Sequence, residues 1–250
     1  MGQALPPGVT LRHLEGWADL AACLEVQKVV WGDDPRELVP PVVLEATLRA
    51  GGLLGGACDG DGRLLGFVYG MPAIRDGRSA HWSHMLAVRP GARRTGLGIA
   101  LKHWQRERLR EQGIDRALWT YDPLLAANAH LNLTLLGARV LELVEDLYGD
   151  EIGGAAGSDR FVVEWRLDAP AAPPAAATVV LGPDDGDLPA ISPVGVAIPD
   201  DFAALAAGHP EAALSWRAHA RRAFGHYLGA GWRVAGFRRD PSHYVLEAPR

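Results

Sequence analysis

The chain has 250 residues, 48% hydrophobic and 22% charged, the balance of an ordinary globular protein long enough for one large domain or two unequal ones. A formal net charge of −5 argues against nucleic acid or an anionic membrane as the main partner. Two distant cysteines, Cys23 and Cys58, the lack of an apolar run of membrane-span length and the lack of a signal-type N-terminus point to the cytoplasm and to no disulfide framework.

Taken in order, Val9–Leu14 alternates like a strand, and Leu20, Leu24 and Gln27 trace a helix over Trp17–Val30. Trp31-Gly-Asp-Asp-Pro35 breaks it, and a second helix is predicted over Pro41–Arg49. Strands follow at Leu53–Cys58, Leu64–Met71 and Ala80–Val88, the first two joined by the turn signal Asp59-Gly-Asp-Gly62. A helix carrying Leu97, Leu101, Trp104 and Leu109 ends at Gly113, and Arg116–Asp122 reads as a buried strand. A short helix, Ala127–Leu136, stops at Gly137 before strands Arg139–Leu147 and Arg160–Leu167. Residues 169–178, rich in proline and alanine, form a linker. Beyond it, Ala213, Trp216, Ala220, Phe224 and Tyr227 mark one face of a helix from Pro210 to Gly231, followed by strands Arg233–Arg238 and Tyr244–Glu247. This tail is either a partial repeat of the helix-glycine-strand-strand unit at Leu133–Leu167 or simply another α-β-β unit. Its apolar helix face predicts docking on the first domain.

The most informative stretch is His84–Lys102: an apolar strand, a turn at Arg89-Pro-Gly91, a second glycine-bearing loop and a helix. Glycines at a helix mouth let backbone N–H groups approach a ligand closely, and the first turn has unpaired donors and positive potential. Phosphate is the natural occupant, with Arg93 and Arg94 adding full charges. Arginines also cluster at Arg89, Arg106, Arg108 and Arg110, a local basic patch suited to a polyanionic small molecule. The alternative is that Gly96 and Gly98 merely make a tight turn. A dinucleotide fold would need a third glycine where Leu101 stands, and there is no Gly-Lys-Ser/Thr of a P-loop.

The spacing Arg93-x-x-Gly96-x-Gly98 after Val88 resembles the acetyl-CoA signature of the GNAT superfamily of N-acetyltransferases, and the order β-α-α-β-β-β-α-β-α-β-β is similar to theirs. The segments Ser83–Val88, Trp119–Pro123 and Asp159–Trp165 resemble an uncharacterised bacterial branch with a C-terminal α/β extension. The resemblance implies an α/β fold, a mixed central sheet flanked by helices, over residues 1–168, with residues 179–250 as the extension. It implies acetyl-CoA or another acyl-CoA as co-substrate and a small-molecule or peptide amine as acceptor, and leaves homodimer formation open. No metal spacing appears among the nine histidines, and no Ser-His-Asp elbow is present.

In such a fold, strands four and five splay, and the pantetheine arm docks on strand four through the backbone of Leu86 and Val88. The pyrophosphate falls at Arg93, Arg94, Thr95, Gly96, Leu97 and Gly98, with Asn128 and Asn132 as further contacts or, for Asn128, a helix cap. Acyl transfer needs a base for the amine, and His84 at the end of strand four is the first choice, with Asp122 and Glu164 as alternatives. Each also has a structural reading: a hydrogen-bonded histidine, a turn-starting Asp-Pro and an edge charge. The general acid departs from the pattern. The tyrosine expected four residues before the glycine that ends the helix after strand five is Leu133, leaving Tyr121, Tyr148 and Tyr227 as candidates, or a protein that binds CoA without turnover. A glycine-rich loop, Gly153–Gly157, offers a cover for the acceptor side or a long hairpin.

Overall fold

The computed structural model describes residues 5–149, 157–169, 174 and 176–249. The chain divides into two compact units, the first Met1–Trp119 with Arg166–Asp168 and the second Thr120–Trp165 with Ala169–Arg250. The division therefore does not follow the proline-rich segment, part of which lies outside the described residues, as do residues 153–156 of the glycine-rich loop.

In the first unit, β1 (Thr10–His13), β2 (Leu53–Cys58), β3 (Leu64–Arg75), β4 (Arg78–Val88) and β5 (Arg116–Tyr121) lie side by side in that order. The first four are antiparallel and β4 runs parallel to β5. Residues two apart along β3 share a face, so Phe67 and Tyr69 join a core with Leu14, Leu20, Cys23, Val26 and Leu44. These come from β1's end and from α1 (Gly16–Trp31) and α2 (Pro41–Arg49). Val68 faces the other way, into a core with Leu97 and Leu101 of α3 (Leu97–Glu111). Gly55 on β2 lies directly under the Trp104 ring of α3, where any Cβ would collide with the indole. Pro41 starts α2 at a position that needs no N–H, and the buried Gln27 side chain clasps Val39 in both directions (2.7 and 3.1 Å) to shape the preceding loop.

β3 runs four residues past its expected end. Asp76 and Gly77 both take positive φ, 52° and 70°, the backbone of a tight hairpin, and this Asp-Gly turn extends β3 and β4 as a paired arm.

In the second unit, the end of β5 is followed in space by β7 (Arg160–Arg166) and β6 (Arg139–Val144), which pair antiparallel. The expected single helix before Gly137 is a short α4 (Ala126–Ala129) running into a π-helical stretch, His130–Leu135. The tail holds more than was expected: a second sheet in the order β10 (Arg233–Arg239), β11 (Ser242–Glu247), β9 (Val194–Ala197), β8 (Val179–Leu181). It also has α5 (Phe202–Gly208), capped by Asp201 accepting from Ala204 N (3.0 Å), and the long α6 (Pro210–Gly229). Phe161 of β7 packs edge-to-face on Phe224 of α6 and Tyr244 of β11, with ring centroids 4.8 and 5.5 Å apart.

Candidate functional site

β4 is the backbone of the site. Between its pairs Trp82↔Met71 and Met85↔Tyr69 it uses three steps where β3 uses two, so a bulge falls at Ser83–His84. On its other side β4 pairs with β5 at His81↔Ala117 and Trp82↔Leu118. Among the described pairings, Met85–Val88 has ladder partners only on β3 and Ser83 and His84 have none, so that edge of β4, including Leu86 and the N–H of Val88, is open, while Val88 O accepts from Arg93 Nε. His84 sits at the bulge, exposed at its rim, with its ring edge-to-face on Tyr69 (6.0 Å). Partial burial lowers its pKa, which keeps the imidazole neutral and able to accept a proton at neutral pH.

After Val88 the chain turns tightly. Arg89 is anchored twice on β3, N to Leu65 O and Nε to Leu64 O, both 2.8 Å. Thr95 Oγ1 donates to Ala92 O at 2.7 Å and Arg93 Nε to Val88 O at 3.2 Å. Gly96, at φ 87°, directly precedes α3, and no side chain caps that helix start. Only glycine takes this conformation without strain, and the first-turn N–H groups are left for a ligand. A Cβ on Gly98 would meet nothing nearer than Leu86 Cδ2 at 3.9 Å, so the surface over Gly98 is open. Arg93, Arg94 and Thr95 are exposed around it, and a recess of about 480 Å³ lined by Arg63, Arg89, Gly91 and Leu97 adjoins the loop. These groups fit a pyrophosphate: neutral donors at a positive helix end, two exposed guanidinium groups and no side chain in the way.

The remaining candidates lie in the second unit and are engaged differently. Asp122 is gripped by Arg217 through both oxygens (2.8 and 2.7 Å), with Arg160 at 3.8 Å, so this carboxylate is engaged in ion pairs within its own unit. Tyr121 is buried, its hydroxyl receiving a bond from Tyr244 Oη (3.3 Å), and burial raises its pKa. Tyr227 donates to Pro189 O at 2.9 Å. Tyr148 alone of these tyrosines stays exposed, its Oη 3.5 Å from Thr120 Oγ1. Glu164 is half-buried opposite Arg139, Asn128 is half-buried near the start of α4, and Asn132 and Leu133 are buried in the π-helical stretch.

One cluster was missed from the sequence: Lys102 and Gln105 on α3 are buried with His81 and Ser83 on β4. The signal was present. Lys102, Gln105 and Leu109 follow the same three- and four-residue spacing as the apolar stripe.

No protein-family model matches the chain, and no curated protein matches it. Among solved structures it is similar to the ribosomal-protein-S18-alanine N-acetyltransferase from Escherichia coli (18% identity, TM-score 0.53, covering 65% of this chain and 96% of that one). A putative GNAT-family acetyltransferase from Desulfovibrio desulfuricans gives 17% identity and a TM-score of 0.54, covering 64% and 99%. The fold is that of the GNAT acetyltransferases. A putative acetyltransferase from Salmonella typhimurium, solved with acetyl-CoA, is similar over 68% of this chain and 99% of its own (21% identity, TM-score 0.50). About a third of this chain lies outside each of these GNAT-fold matches. No helix among the described residues is long and apolar enough to cross a membrane.

Proposed function

We propose that this protein is an acyl-CoA-dependent N-acetyltransferase. The observation that carries the reading is the open edge of β4 leading straight into the glycine-started, uncapped helix α3. Acetyl-CoA, when bound, supplies an activated acyl group. Backbone N–H groups at Gly96–Gly98, with Arg93, Arg94 and Thr95, hold its pyrophosphate, and the backbone of Leu86 and Val88 receives the pantetheine arm as an added strand. His84 takes the proton from the acceptor ammonium, since an amine attacks only through its lone pair. An N–H of the Ser83–His84 bulge stabilises the oxyanion. Asn128, Asn132 and Glu164 are assigned to the CoA arm and acceptor side on resemblance alone. The segment from Val179 is an addition to the acetyltransferase core, and the acceptor is an amine on a small molecule or a peptide.

Titration calorimetry with acetyl-CoA tests the reading. The native chain should bind, and Gly96→Val should weaken binding at least about tenfold, because a β-branched residue resists positive φ and blocks the approach to phosphate. Unchanged affinity in that variant overturns the assignment. Leu133 at the usual tyrosine position supports a second reading, a CoA-binding module without turnover. CoA release on a panel of amines, small molecules and peptides among them, separates the two.

A further inference from the structure

Of the 25 lysine and arginine residues only two are lysines, Lys28 and Lys102. Lys28 is on the surface of α1, paired with Glu25. Lys102 is 3% exposed, enclosed in the first unit. Its Nζ donates to Gln105 Oε1 (2.8 Å) and Ser83 Oγ (3.0 Å) and stands 3.8 Å from the centroid of the Trp119 ring. An ammonium only donates, so it fixes the Gln105 amide with its oxygen toward Lys102. The amide nitrogen then faces His81 Nε2 at 3.1 Å, which must accept, so the His81 proton sits on Nδ1. Burial holds His81 neutral, pulling its pKa down to about 3.

The place of this cluster matters. Trp82↔Leu118 is the last β4–β5 pair described, and Ser83 and Trp119 are the next residue on each strand. Ser83 also belongs to the bulge that presents His84. We propose that Lys102 is a positioning residue of the acyl-transfer site, clasping Ser83 and Trp119 where β4 and β5 begin to part and so fixing the bulge that carries His84. The proposal rests on the acetyltransferase reading above.

A guanidinium here would be permanently charged and larger, and a methionine would fill the space without donors. The amine alone has two usable states. Burial lowers its pKa to about 7, while two acceptors and the indole face favour the ammonium. The titratable group facing it from β4 is His81, held neutral, and Arg106 on α3 turns its Nε to Leu167 O (2.6 Å). With the proton on, Lys102 donates to the Ser83 hydroxyl, which itself donates to Gln105 Oε1 (3.1 Å); with it off, Nζ gains a lone pair that competes with Gln105 for the Ser83 proton. The Ser83 hydroxyl thus reports the state of Lys102 one residue from His84.

Two lysines make a direct test. In protein labelled with ¹³C and ¹⁵N at lysine and histidine, NMR resolves Lys102 against Lys28 as an internal reference. The native chain should show Lys102 titrating well below Lys28, and the His84 imidazole shift following the Lys102 titration. Lys102→Met and Ser83→Ala should each lower kcat by about tenfold or more with KM for acetyl-CoA within about threefold, and the double variant should be no worse than the single ones. A Lys102 that titrates alongside Lys28, or a His84 signal indifferent to it, overturns the proposal without a variant being made. Additive losses in the double variant do the same. If native protein binds no acetyl-CoA by calorimetry, the acetyltransferase reading fails and the positioning role falls with it, whatever the NMR titration shows.

Discussion

Arg217 in the second unit and Lys102 in the first are both almost fully buried cations, and they are partnered in opposite ways. Arg217 lies in a two-pronged pair with Asp122, and a turn later Arg221 bridges Asp159 (2.5 Å) and Asp146 (3.0 Å). Lys102 meets a hydroxyl, an amide oxygen and an aromatic face. A guanidinium cannot shed its charge, so burying it demands carboxylates, and the result is a fixed fastening between α6 and the strands of its own unit. An amine among neutral partners can give up its proton. The first unit has therefore kept, next to its open strand edge, a group that responds to its surroundings, whereas the second uses charge to hold its fold.

The largest effect should come from breaking the fixed pair. Asp122→Ala leaves the Arg217 guanidinium buried and uncompensated, and unfolding by denaturant should show a loss of about 3–5 kcal/mol. A loss below about 1 kcal/mol would mean that water reaches Arg217 and that the contrast between the clusters is overdrawn.

Next in size is the pH dependence carried by Lys102. The unfolded lysine keeps its proton up to its ordinary value of 10.5, the folded one only to about 7. Between these values the unfolded chain binds more protons, so stability rises with pH across that window and is lost as pH falls toward about 7. The rise attributable to Lys102 should be a few kcal/mol, an upper bound set by about 1.4 kcal/mol per pH unit of separation. Lys102→Met should flatten it. Parallel stability curves for the native chain and the variant would show that Lys102 is as permanently charged as Arg217.

Much of this architecture was legible in the sequence, and the exceptions share a cause. Pro41–Arg49 and Leu53–Cys58 match their expected bounds, because a first-turn proline and a run buried on both faces leave little choice. The glycine turn before α3 was readable because glycine spacing reports backbone conformation directly, and Gly96 takes φ 87°. β8 and β9, three and four residues long, exist by virtue of pairing with each other and with β11, which no local pattern encodes. α5, Phe-Ala-Ala-Leu-Ala-Ala-Gly, has too few large side chains to show a stripe. The tertiary ion pair of Asp122, an alternative choice of base, was equally invisible, since its partner is 95 residues away. The Lys102 cluster was overlooked for another reason: polar residues at core spacing read as surface until the strand that receives them is known.

His84 sharpens the assignment of chemistry to the first unit. Its pKa is lowered by burial, so the neutral, proton-accepting form persists below the ordinary 6.5, and kcat/KM should fall only as pH drops through that lowered value. His84→Gln should abolish this acid limb and cut the rate at neutral pH by about a hundredfold, with acetyl-CoA affinity nearly intact. An unchanged profile would make His84 a structural partner of Tyr69.

The smallest expected effect tests the comparison from the other side. Tyr148 is the catalytic candidate of the second unit whose hydroxyl remains accessible, 42% exposed, with the Arg160 guanidinium 5.1 Å from its ring centroid. Its bond to Thr120 is at the 3.5 Å limit, so removing the hydroxyl should change stability by no more than about 0.5 kcal/mol. If the second unit only holds structure, Tyr148→Phe leaves kcat within about twofold, because solvent protonates the departing thiolate. If Tyr148 is the missing acid, kcat falls by about 10²–10⁴ with KM for acetyl-CoA unchanged, since a general acid acts only as the thiolate leaves. The fall would be steepest for acyl donors whose thiol has the highest pKa, as the worst leaving group needs the proton most. That outcome would give the second unit a reacting group and dissolve the contrast between a responsive first unit and a fixed second one.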